Sequence, residues 1–136
     1  MTMPFDAKQI VDTITKLGMP PGSALIHASA AMVLHGLIKE ARDIDVATNE
    51  AGWQHALTLG EARQGRIDQL VEPVPDVELF SGWLGEPLDG LFARARPVSG
   101  LLVAAPQDIL DFKRKLNRPK DAPHIRLLEE HICNNL

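Results

Sequence analysis

A chain of 136 residues, 45% hydrophobic and 24% charged, has the size of one globular domain with a sizeable core and leaves no room for a second catalytic domain. Its formal charge of -4 argues against a nucleic-acid binder that depends on a generally basic surface. Cys133 is the only cysteine, which excludes an intramolecular disulfide and a zinc framework and fits a reducing cytoplasm. The N-terminus lacks a basic region followed by an apolar run, and the chain has no apolar stretch of about eighteen residues, so the expectation is a cytoplasmic protein with no membrane segment.

In chain order, Asp6 is placed to cap a first helix whose Ile10, Ile14 and Leu17 form one stripe, ended by Gly18 and Pro20-Pro21-Gly22. Ala24 to His27 reads as a short buried strand, and Ser29 as the cap of a helix carrying Ala31, Met32, Leu34 and His35 up to Gly36. Asp43 to Val46 forms the second strand. Thr48 or Asn49 caps a helix through Trp53, Ala56 and Leu57 to about Gly60. Ile67 to Val71 and Val77 to Phe80 alternate as an antiparallel hairpin, with its turn at Pro73 and Pro75. Pro87 opens a helix through Leu88, Leu91 and Phe92, and Gly100 to Val103 is one more strand. Pro106 starts a helix holding Ile109, Phe112 and Leu116. Asn117 and Pro119 break it, and Asp121 caps a last helix with Ile125, Leu128 and Ile132. The pattern is α+β, a small mixed sheet flanked by helices with a C-terminal helical pair. It divides into an N-terminal helix and turn (1–21), a core (22–104) and C-terminal helices (105–136) of one domain.

The chemistry concentrates at Asp43-Ile44-Asp45-Val46. On a strand, Asp43 and Asp45 leave the same face about 7 Å apart while Ile44 and Val46 face the core. Two like charges aimed at one point call for a cation, and a third carboxylate from a neighbouring strand would give oxygen ligands suited to magnesium with positions left for phosphates. The small-residue turn at Ala28-Ser29 offers backbone N–H groups to an anion near that pair. Lys113, Arg114, Lys115, Arg118, Lys120 and Arg126 crowd the C-terminal part. By itself such a group reads as a solvated face, yet it also supplies a local phosphate-binding patch. His27 and His35, on apolar segments, read as packed or hydrogen-bonded histidines. His124 and His131 have no cysteine companions for zinc. Trp53 and Trp83 read as core or rim packing, with Trp83 near enough to the presumed third carboxylate to stack on a base.

The run Ala24-Leu25-Ile26-His27-Ala28-Ser29-Ala30-Ala31-Met32-Val33-Leu34-His35-Gly36, followed by Lys39 to Val46, resembles the nucleotidyltransferase signature of the DNA polymerase β superfamily. More narrowly it resembles the small bacterial AbiEii-like and MNT-like proteins. Val77-Glu78-Leu79 matches their strand with a third acidic residue, Glu78 being the match and Asp76 the reserve. Pro106 to Lys113 and Asn117-Arg118-Pro119-Lys120-Asp121 are similar to their C-terminal helix with its lysine and the Arg-x-Lys-Asp that follows. The resemblance covers about residues 22 to 130. Ala28 stands where the family has glycine, Lys39 where it has arginine, Ala41 where it has threonine, and Glu78 where aspartate is commoner.

The resemblance implies a metal-dependent nucleotidyltransferase that moves a nucleoside monophosphate from an NTP to an RNA or protein acceptor, in a toxin-antitoxin or phage-defence setting. Asp43, Asp45 and Glu78 would be catalytic and hold Mg2+ or Mn2+, and Ala28, Ser29, Lys39, Lys113 and Lys120 would bind the nucleotide. The alternative is a catalytically impaired antitoxin or binding module of the same fold. A cognate toxin or antitoxin partner follows from the resemblance, and so short a chain leaves surface for a homodimer.

Overall fold

The computed structural model describes residues 3–136 as one mixed α+β arrangement: a seven-stranded sheet with six α-helices. The elements are α1 (Ala7–Lys16), β1 (Ala24–His27), α2 (Ala28–Leu34), β2 (Ile44–Thr48), α3 (Glu50–Leu59), β3 (Arg63–Gln64), β4 (Gln69–Val74), β5 (Val77–Phe80), α4 (Leu88–Arg94), β6 (Arg96–Val98), β7 (Leu101–Val103), α5 (Pro106–Leu116) and α6 (Ala122–Asn134). The strand order is β3-β4-β5-β2-β1-β7-β6. β1 is antiparallel to β2 and parallel to β7, and β2 is parallel to β5.

Consecutive strand residues point to opposite faces, so the burial of Leu25, Ile26 and His27 in succession means that both faces of the sheet centre are covered. That explains why β1 reads as a continuous apolar run rather than an alternating one. Helices α2 and α5 pack together, with α1 on α2 and α6 on α5, while α3 lies against β2, β4 and β5. Gly52 permits the close seat of α3, because a Cβ there would collide with the Ser23 carbonyl oxygen. Asp6 caps α1 in a full capping box with Gln9, and Asn49 caps α3 through the Gly52 N–H. The other candidate cap of α3, Thr48, is instead buried and donates its hydroxyl to the Phe80 carbonyl at 2.7 Å.

Several boundaries differ from expectation, each for a local reason. Asp43 lies one residue before β2 rather than inside it. Ser29 does not cap α2: the cap is His27, whose side chain accepts the Ala28 N–H. Pro73 sits within β4, where the ladder with β5 shifts register between Val71 and Val74, and the turn falls later, with Asp76 at φ +65°. β4 therefore starts and ends later than Ile67 to Val71. The short strands β3 and β6 were not anticipated; two or three residues carry too little periodicity to show in a sequence. Asp121 directly precedes α6 but makes no capping bond, because its carboxylate is committed elsewhere. No helix among the described residues is long and apolar enough to cross a membrane.

Candidate active site

The β2–β5 pairing decides the arrangement of carboxylates. Asp45 is in register with Glu78 on the adjacent parallel strand, so their side chains leave the same face of the sheet as neighbours. Asp43 sits just before β2 on the same side by its two-residue spacing. Asp76 is in the turn preceding β5, where its carbonyl accepts the Ile44 N–H at 2.9 Å. The geometry thus sets Glu78 beside Asp45 and Asp76 at the sheet end.

The like charges are weakly compensated. Burial first, then Glu78 and Asp43, push the Asp45 carboxyl up to about 7. Asp43 is also raised, by burial and by Asp76. Glu78 is raised by burial despite the opposing pull of Arg63, which approaches it at 3.5 Å. Carboxyls in this state favour a cation among them, and their oxygen donors suit a hard divalent ion. Among the described residues no three His, Cys, Asp or Glu side chains converge into a complete metal-binding group. Asp43 and Asp45 are the side chains here that could hold such an ion.

Two clefts meet at these aspartates. The larger, about 510 Å3, is lined by Ala28 and Ser29 on one side and by Arg42, Lys113, Arg118 and Lys120 among others. The smaller, about 380 Å3, holds Glu78 and the apolar side chains of Ile67, Phe80, Trp83 and Leu116. Asp43, Asp45, Phe112 and Arg118 line both. The larger cleft sets Arg42, Lys113, Arg118 and Lys120 among the acids Glu40, Asp43, Asp45 and Asp121, the smaller is largely apolar, and Asp43 and Asp45 stand at their junction.

The cations are organised by one buried acid. The Asp121 side chain, 3% exposed, accepts from Arg118 Nε at 2.6 Å and Nη2 at 3.1 Å, and from Lys113 Nζ at 3.3 Å. Burial alone would raise Asp121, but the Arg118 and Lys113 hydrogen bonds hold it below its ordinary value. Lys113, 1% exposed, also donates to Ser29 Oγ at 3.2 Å. Burial lowers Lys113, with Asp121 acting against that. The reading of the basic group as a solvated face therefore holds for Arg114, Lys115 and Lys120 and fails for Lys113.

Other expected residues fall as follows. Lys39 is exposed and is not among the residues lining the larger cleft; Arg42 takes that position next to Asp43. Ala41 is buried and bridged to Phe5 by two backbone hydrogen bonds of 2.7 and 2.9 Å. Ala28 lines the larger cleft with its backbone at φ +55°, but its N–H is already taken by His27 Nδ1 at 2.8 Å. The backbone anion site expected at this turn is thus partly satisfied from within. His124, set aside as a zinc ligand, also lines the larger cleft. Arg42 and Arg118 were missed as individual site residues; the signal for Arg118 was its place three residues before Asp121.

No family model, no curated protein and no solved structure matches the chain. The case for a function rests on this geometry and on the chemistry of the side chains that form it.

Proposed function

We propose that the chain is a metal-dependent nucleotidyltransferase that moves a nucleoside monophosphate from an NTP to a hydroxyl of an RNA or protein acceptor. The observation that carries this reading is the placement of Asp43, Asp45 and Glu78, all with raised affinity for protons, where a cleft that also holds Arg42, Arg118 and Lys120 meets a largely apolar one. A magnesium or manganese ion held by Asp43 and Asp45 would neutralise phosphate charge and polarise the phosphorus under attack.

The chain's own residues supply the rest. Arg42, Arg118 and Lys120 bind the triphosphate, and Asp121 presents Arg118 in a fixed orientation through two hydrogen bonds. The acceptor enters by the smaller cleft. Its oxygen forms a bond to the α-phosphorus as the bond to the bridging oxygen of the β-phosphate breaks, and pyrophosphate leaves through the larger cleft. Glu78 takes the hydroxyl proton, a role suited to a carboxyl whose proton affinity is raised by burial.

A toxin-antitoxin or phage-defence setting belongs to the same proposal and has only the resemblance of the motifs behind it. A second reading, a nucleotide-binding or antitoxin module without turnover, is favoured by the occupied Ala28 N–H and by the internal commitment of Lys113. Incubation with labelled triphosphates, magnesium, total RNA and a candidate protein partner separates the two. Transfer that disappears in Asp43→Ala/Asp45→Ala supports the enzyme. Triphosphate binding without transfer supports the nucleotide-binding module, and neither binding nor transfer with any triphosphate defeats the enzyme and that module alike.

A further inference from the structure

Ala28 is the one non-glycine residue of positive φ that lies inside a helix or strand among the described residues. Any residue with a Cβ meets a steric cost in that conformation, and glycine does not. Something must hold the alanine there. Ala28 N–H donates to His27 Nδ1 at 2.8 Å, so that nitrogen carries a lone pair and the ring proton is on Nε2, which finds no protein partner. The ring orientation thus satisfies the backbone of residue 28 and leaves its own second nitrogen unpaired. That orientation is fixed from both sides: the imidazole stacks on Trp83 at 4.3 Å and 17°, and meets the edge of Phe112 at 5.3 Å. Ser29, the next residue, carries the hydroxyl that Lys113 reaches, and both Ala28 and Ser29 line the larger cleft.

We propose that His27 is a positioning residue of the larger cleft: by accepting the Ala28 N–H it holds an alanine in a left-handed turn that glycine would enter unaided. In doing so it sets the Ser29 backbone and hydroxyl, the latter also held by Lys113, at the wall of the larger cleft where phosphate oxygens would meet them. The consequence for phosphate binding rests on the function proposed above, whereas the consequence for the backbone does not. The device answers how a chain with alanine at this point keeps the turn.

The test is a rescue. His27→Phe keeps a ring against Trp83 and Phe112 but removes the acceptor; Ala28→Gly removes the need for it. Binding of magnesium tripolyphosphate, a probe with no base preference, is measured by calorimetry, and the conformation of residue 28 by its NMR carbon shifts. His27→Phe weakens tripolyphosphate binding about tenfold, equivalent to about 1.4 kcal/mol, and shifts residue 28 out of the left-handed region. Adding Ala28→Gly restores both, while the thermal midpoint lost with the histidine is not recovered. A residue that merely filled space would lose binding and stability together, with no rescue by glycine.

Unchanged binding and backbone in His27→Phe, or failure of Ala28→Gly to restore them, overturns the proposal. If the unaltered chain does not bind tripolyphosphate, the nucleotide reading fails, and the NMR arm alone decides the positioning role by loss and recovery of the left-handed shifts. Should His27→Phe not fold, His27→Asn is compared with and without Ala28→Gly in the same way.

Discussion

Asp45→Asn should make the metal-free protein more stable at alkaline pH while abolishing nucleotidyl transfer. In the folded chain the carboxyl holds its proton up to about 7, against an ordinary 3.8 in the unfolded chain. Between those values the native state binds more protons, so stability falls as pH rises through that window, and the loss is complete above about 7. The full displacement corresponds to about 4 kcal/mol, and the solvent that still reaches Asp45 brings the expected gain from Asn down to about 2 kcal/mol. His27 acts in the opposite sense. Burial, with Lys113 nearby, lowers it from 6.5 to about 3, so the unfolded chain takes up a proton first and stability falls as pH drops from 6.5 toward 3. In the unaltered chain the two effects oppose each other across mildly acidic pH and flatten the profile.

Urea unfolding across pH in the presence of chelator reads this directly. Asp45→Asn should gain stability near pH 8, gain nothing near pH 3.5, and show a steeper acid limb because the histidine effect is uncovered. Magnesium should raise the stability of the unaltered chain and leave Asp45→Asn unmoved. A variant no more stable than the original at alkaline pH, with an equally flat profile, would refute the view of Asp45 as a carboxylate under electrostatic load.

Glu78→Gln should lower the transfer rate by about 10²–10⁴-fold with triphosphate affinity nearly unchanged, as separate calorimetric and single-turnover measurements would show. Asp121→Ala leaves Lys113 as a buried charge without its partner and should cost about 3–5 kcal/mol by denaturant melts, whereas a loss under about 1 kcal/mol would mean the pair is open to water. Arg118→Lys keeps the charge but loses the two-pronged bond to Asp121. It should weaken triphosphate binding about tenfold, about 1.4 kcal/mol, with the melting curve little changed; equal affinity would show that Arg118 orientation does not matter.

The sequence made the periodic parts of the fold visible. The capping of α1 by Asp6, the buried run of β1 and the long amphipathic α5 each follow from one local rule, and each is where it was expected. What stayed hidden depended on distant partners. Ser29 has the residue type of a cap, yet His27 performs that task because its ring is held by Trp83 and Phe112 from far along the chain. Asp121 also has the type of a cap, but two cations claim its carboxylate. Lys113 sits in a charged run and is nonetheless buried, since α5 turns that one position toward α2 and Asp121. The Asp43 and Asp45 pair was visible as a local two-residue spacing, although Asp43 falls one residue before β2. The register that sets Asp45 against Glu78 came only with the parallel β2–β5 pairing, and the turn that holds Asp76 with the shifted β4–β5 ladder.

The departures from local rules gather in one place. A left-handed alanine, a histidine nitrogen without a protein partner, a carboxyl raised to about 7 and a buried lysine all lie where β1, α2, β2 and α5 meet. The other non-glycine residues of positive φ, Asp76, Leu84, Ser99 and Asn117, are in turns, loops or a helix cap, where such a backbone has a local reason. A core selected for stability alone would shed these costs: glycine at position 28, asparagine at 45 and an apolar residue at 113 are each simple substitutions that relieve one of them. Ala28, Asp45 and Lys113 line the larger cleft and His27 packs against Phe112, which lines it too; costs gathered in this way, rather than scattered through the fold, mark a candidate functional site. This clustering supports a functional site independently of the resemblance in the motifs. It also makes a stabilised, inactive Asp45→Asn the outcome on which the two lines of reasoning converge.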